Sequence, residues 1–210
     1  MSNEVTRAEG AREGSFGQGY HPSVVDRFGV WLSARQIRRY TGSLVGKRIG
    51  DIGCGYNAGF VQSVLPEVNH AVLVDLSLSP ELKNHPKISA IEAVLPGALT
   101  QVPSGSLDIL LCISVLEHVW DPLAVLQECR RIVSANGMCL FNVPSWRGKK
   151  FLEYSAFRLG LSGSIEIDDH KSYYDVKDLW PILVRAGFRP ANIQCFSHKF
   201  GLNTFAVCRP

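Results

Sequence analysis

One stretch constrains the fold of this chain more than any other: Lys47-Arg48-Ile49-Gly50-Asp51-Ile52-Gly53-Cys54-Gly55-Tyr56-Asn57-Ala58-Gly59. It reads as a short buried strand that ends in a glycine-rich turn, and Ala58 to Leu65 then fits a short helix that Pro66 terminates. Glycines let the backbone turn tightly and approach a ligand closely, because no Cβ stands in the way. The start of the following helix leaves backbone N–H groups free. Asp51 puts a negative charge beside that turn, which repels a pyrophosphate but suits a cationic ligand. Taken alone, Gly53-x-Gly55-x-x-x-Gly59 also reads as a dinucleotide loop, or as a tight turn that holds no ligand.

Further strands follow at the spacing of an α/β fold. His70 to Ser77 is apolar and contains Asp75, about 20 residues beyond the glycines, where an acid meets a ribose in nucleotide-binding βαβ units. A carboxylate can accept from both ribose hydroxyls; the competing reading of Asp75 is a helix N-cap ahead of Ser77 to Leu82. Lys87 to Ala93 is a third strand and carries Glu92. Ser106 to Ser114 is a fourth, whose unbroken apolar run suits the buried centre of a parallel sheet. Asp121-Pro122 caps a helix with Leu126, Cys129, Ile132 and Val133 on one face, and Gly137 is expected to end it. Met138 to Val143 is the fifth strand. Asp175, with Asp178 three residues on, caps a helix that Pro181 should kink. Ala191 to Ser197 and Thr204 to Cys208 are two strands too close in sequence to be anything but an antiparallel pair.

Asp51-x-Gly53-Cys54-Gly55 resembles the first motif of class I S-adenosylmethionine (SAM)-dependent methyltransferases, although Asn57 stands where the family usually has a third glycine. Asn tolerates φ > 0 better than other non-glycine residues, so the departure is mild. The fourth strand followed by Leu116-Glu117-His118-Val119 is similar to the group that includes quinone-biosynthesis enzymes and many small-molecule methyltransferases. Type 11-like members share this layout. The resemblance spans Lys47 to Pro144.

It implies a single Rossmann-like domain over residues 20–210: a seven-stranded, mostly parallel sheet with an antiparallel C-terminal hairpin and helices on both faces. It also implies S-adenosyl-L-methionine as cofactor. Asp51 would act on its amino-acid end, Gly53, Cys54, Gly55 and Asn57 would form the turn, and Asp75 and Leu76 would lie at the ribose. Glu92 is one position away from the family's usual adenine acid, and a solvated loop acid is an equal reading. Ser114, Glu117 and His118 follow the fourth strand, where ligands of open α/β sheets sit. His118 is either a base or a hydrogen-bonder that holds the loop. His170, ahead of a helix ending in Ala186-Gly187-Phe188, is the first choice for an acceptor-side base, with Asp169 as its support. Competing readings are a nicotinamide-dependent oxidoreductase and a methyltransferase-like scaffold without catalysis.

Composition fits this class. The 210 residues, 46% hydrophobic and 20% charged, suffice for one α/β domain. A net charge of +3 carries no nucleic-acid footprint, so the expected partner is a small-molecule acceptor and no nucleic acid. The 6 cysteines form no C-x-x-C pair and suggest reduced thiols, hence a cytoplasmic protein with no metal site. No apolar run reaches spanning length, and the start of the chain lacks an apolar signal core. Residues 1–19 are polar and expected to lack fixed structure unless they fold over a ligand. Residues 146–174 mix aromatic and basic side chains and are expected to form a cap on the acceptor side. A saccharide or lipid-linked acceptor, with peripheral membrane contact, is compatible with that cap.

Overall fold

The computed structural model describes residues 14–18, 24–151 and 170–210, with Val24 and Val25 described by backbone only. Seven strands form one sheet: β1 (Arg48–Ile52), β2 (His70–Asp75), β3 (Ile88–Glu92), β4 (Leu107–Ile113), β5 (Val133–Pro144), β6 (Ile193–His198) and β7 (Asn203–Cys208). Their order is β3-β2-β1-β4-β5-β7-β6. Every pairing from β3 across to β5 is parallel, and β7 runs antiparallel to both β5 and β6. The direction of chain progression through the sheet reverses between β1 and β4. Their carboxyl ends therefore open a crevice of the kind that binds ligands in α/β proteins.

The apolar run of β4 has a direct structural cause. Leu110 and Cys112 enter one core with Ile52, Phe141, Leu126 and Cys129, whereas Ile109 and Leu111 enter a second core with Ile49, Leu73, Leu140 and Val61. Alternate residues of a central strand face opposite layers, so both sets are apolar. Helices α4 (Pro122–Ile132) and α5 (Val176–Arg185) cover the first face. Helices α1 (Val24–Thr41), α2 (Gly59–Val64) and α3 (Pro80–Lys83) cover the second. Asp121 Oδ1 accepts from Ala124 N at 2.9 Å and Asp178 Oδ2 accepts from Asp175 N at 3.0 Å, so both expected caps are made. All six cysteines are free.

Two local expectations are corrected. Gly137 does not end α4; it lies inside β5, where a Cβ would come within 2.7 Å of the Asp108 carbonyl oxygen, so close strand packing explains the glycine. The left-handed residue of the first turn is Ala58 (φ 43°), not Asn57. Helix α5 carries Pro181 inside it, on its exposed side, where water can satisfy the freed carbonyl.

Gly53 has φ +70°, and a Cβ there would meet Val115 Cγ2 at 2.3 Å, so any side chain is excluded both by conformation and by space. Gly59 has neither constraint. Gly53→Ala is therefore expected to cost about 2 kcal/mol or more. Gly59→Ala should be neutral or stabilise by about 0.5 kcal/mol. Urea unfolding midpoints read both, and equal effects would contradict the assignment.

Candidate functional site

The crevice between the ends of β1 and β4 widens into a cleft of about 2410 Å³, enough for a nucleoside together with a second molecule. Asp51, on β1, is only 7% exposed. Burial, and secondarily the charge of Asp75, push its carboxyl up to about 8. Such an acid is poised for a cation, which would lower its pKa again. The thiol of Cys54 is pushed up by burial and then by Asp51 and Asp75, so it is neither a nucleophile nor a ready redox group.

Asp75 fastens the glycine turn to β2. Its Oδ2 accepts from Gly55 N at 2.7 Å and its Oδ1 from Leu76 N at 2.8 Å. Gly55 (φ +76°) also lies against residues 14–18, where a Cβ would meet Phe16 O at 3.1 Å. This segment crosses the turn: Ser15 Oγ donates to Asp75 Oδ1 and accepts from Ser77 N at 2.8 Å, and Tyr56 N donates to Phe16 O at 2.9 Å. Glu92 sits at the end of β3 in register with Asp75. Its Oε1 accepts from Leu78 N at 2.7 Å and from Lys83 Nζ at 3.2 Å, and these bonds, Leu78 first, hold its pKa low. Ser114 follows β4 with φ +58°, a strained value for a non-glycine residue, and its N–H donates to Asn142 O at 2.7 Å.

Across the cleft, Glu117, His118 and His170 converge. Glu117 is 1% exposed, and the two imidazoles meet edge to face with centroids 4.7 Å apart. The segment carrying His170 is tied to the turn after β4 by Lys171 N donating to Glu117 O at 2.6 Å. His170 Nδ1 and the Tyr173 hydroxyl are hydrogen-bonded at 3.1 Å. Lys199 enters from the turn between β6 and β7, where it and Phe200 both have positive φ (48° and 59°). Burial lowers its ammonium to about 8, with Glu117 opposing that shift.

The sequence of this chain matches the methyltransferase domain family model over residues 50–141. It is 30% identical over 118 residues to a ubiquinone biosynthesis O-methyltransferase of Paracidovorax citrulli, covering 52% of this chain and 48% of that one. A protein of the same name from Neisseria meningitidis is 25% identical, with 79% and 73% covered. The chain thus spans about half the length of some of the curated relatives it matches. The crystal structure of a SAM-dependent methyltransferase from Archaeoglobus fulgidus superposes with a TM-score of 0.60 over 86% of this chain and 94% of that one, at 15% identity. The chain thus resembles class I SAM-dependent methyltransferases in sequence over its central strands and in fold.

The donor set fits the cofactor that such enzymes use. A buried acid short of positive charge, a bare backbone turn and a second carboxylate lie along one wall. Asp51, Gly53, Cys54, Gly55, Asn57, Asp75, Leu76, Glu92 and Ser114 all line the cleft, as do His118 and His170. Asp169 and residues 152–168 of the expected cap lie outside the described residues. So do residues 1–13 and 19 of the leading segment. Sequence reasoning missed Ser15, which lies in a polar stretch without periodicity. It also missed Lys199, whose only signal is a basic residue in a hairpin turn. Among the described residues, no helix is long and apolar enough to cross a membrane.

Asp51 makes stability depend on pH. Its carboxyl ionises near 4 in the unfolded chain and near 8 in the folded one, so the folded state holds an extra proton in between. Stability contributed this way is complete below about pH 4 and lost as pH rises through 8. Asp51→Asn should therefore raise the melting temperature by about 3 °C or more at pH 8.5 relative to wild type, and by less at pH 5. Calorimetry at the two pH values tests this; an equal difference at both would contradict it.

Proposed function

We propose that this chain transfers the methyl group of SAM to a hydroxyl of a small-molecule acceptor. The observation that carries the reading is the buried Asp51 beside Asp75 across a glycine turn, a wall short of positive charge and matched to a cationic nucleoside. When bound, SAM supplies a methyl carbon activated by its sulfonium.

Asp51 attracts the ammonium at the amino-acid end and ionises as it does so. Gly53, Cys54, Gly55 and Asn57 give the nucleoside a surface of backbone. Asp75 already accepts from Gly55 N, Leu76 N and Ser15 Oγ, and would offer its remaining acceptor capacity to a ribose hydroxyl. Leu76 flanks the nucleoside, and Glu92 closes the adenine end chiefly by holding the loop at Leu78. Ser114 positions the turn that leads to Glu117 and His118. The displacement needs in-line approach and exclusion of water more than covalent help. His118 and His170 face the acceptor side of the cleft, where the acceptor hydroxyl is bound and loses its proton.

The relatives named as O-methyltransferases support an oxygen acceptor. The lining of the cleft supports a saccharide or lipid-linked one: it includes Trp120 and Phe200, which are 77% and 79% exposed, and the exposed Phe151. Exposed aromatic faces of this kind suit a sugar ring or an apolar chain.

Isothermal titration should show binding of SAM and S-adenosylhomocysteine and none of NAD. Asp75→Asn should weaken S-adenosylhomocysteine affinity about tenfold or more, the loss of a charge-assisted pair of hydrogen bonds. Label from methyl-labelled SAM should enter a glycan or glycolipid fraction of a cell extract. Binding of NAD alone would overturn the reading. Binding of SAM without transfer to any fraction would leave a scaffold.

A further inference from the structure

Glu117, His118 and His170 each offer one ligand-type atom, and these atoms all lie within 4.8 Å of one another. We infer that the three side chains form a divalent-cation site whose metal takes the acceptor oxygen as a further ligand. The last clause rests on the hydroxyl acceptor proposed above; the site itself does not.

Four features support it. Two imidazoles and one carboxylate are the donor set of borderline first-row cations such as Zn²⁺, Mn²⁺ and Co²⁺. The set is held before any ion arrives: Glu117 and His118 share one turn at the end of β4, and the His170 segment is pinned to that turn through Lys171 N and to the end of β5 through Tyr174 N, which donates to Pro144 O at 2.9 Å. His170 Nδ1 is engaged by the Tyr173 hydroxyl, which orients the ring, as metal-binding histidines are usually fixed through a second hydrogen bond. Finally, all three residues line the cleft, so three protein ligands leave open positions toward the acceptor. Lys199 is the competing cation, since its charge acts on Glu117. A dication bound by three ligands would outweigh that single charge.

The site changes how the acceptor is activated. A coordinated hydroxyl loses its proton more readily, because the metal stabilises the resulting oxygen anion. The O–H bond breaks with its proton going to water. The oxygen's electron pair forms the new bond to the methyl carbon as the carbon–sulfur bond breaks, and its pair returns to sulfur. His118 and His170 then hold the metal and do not take the proton themselves.

Metal-stripped full-length protein would be titrated with Co²⁺ alone, followed by calorimetry and by its visible absorption. One equivalent should bind. His170→Ala and Glu117→Gln should each weaken binding at least about tenfold, and Tyr173→Phe about tenfold. The urea unfolding midpoint reports the fold, so a variant that loses Co²⁺ but keeps the wild-type midpoint supports the site even if the other variant fails to fold. No Co²⁺ binding by the wild type, or unchanged binding in folded variants, would overturn the inference and leave Lys199 as the counter-ion of Glu117. Because the probe is the metal itself, either result is independent of whether SAM binds.

Discussion

Two carboxylates placed side by side, one of them buried, govern this structure. Asp51 cannot be solvated and lies close enough to Asp75 to feel its charge. Asp75 is held by backbone donors from the turn and from its own strand end. The protein thus spends stability to keep an acid where a positive ligand would relieve it. Local strain and electrostatic cost of this kind persist only where the surrounding structure over-determines them. Here the surroundings are the central strands of the sheet. Gly53 packed on Val115 prevents the turn from relaxing away.

The topology converts this pair into a site with two halves. Because the chain reverses its progression between β1 and β4, the turn after β1 and the turn after β4 face each other. The first half carries the acids and the bare backbone. The second carries Glu117, His118 and, by backbone hydrogen bonds, His170. The β6–β7 turn adds Lys199 from the far side in a conformation that is costly for a non-glycine residue. The tight connection between the antiparallel strands β6 and β7 accounts for that conformation, since hairpin turns favour positive φ at their central residues.

Much of this was legible in the sequence, for identifiable reasons. The strands announced themselves because a doubly covered parallel sheet needs apolar residues at successive positions, as in Ile109 to Ile113. Asp51 and Asp75 were readable because an acid about 20 residues beyond a glycine turn is the layout of a ribose site in nucleotide-binding βαβ units, and Asp51 opens that turn. Elements set by close approach were not readable. Gly137 looks like a helix stop, but its role is to let β5 pass the Asp108 carbonyl. The left-handed residue fell on Ala58 although Asn57 was the better conformer, since the turn's hydrogen bonds fixed the position. Ser15 and Lys199 reach the site across long sequence separations, and no local pattern encodes such contacts. The joint geometry of Glu117 with the two histidines was likewise invisible, because backbone bonds between distant segments create it.

The most direct test of the central claim is the proton balance of cofactor binding. Calorimetric titration of SAM at about pH 7, in buffers of different ionisation enthalpy, counts protons exchanged with solvent. If Asp51 is protonated in the free protein and ionised against the bound cation, binding should release close to one proton, and Asp51→Asn should release none. Tight binding with no proton release by the wild type would contradict the account.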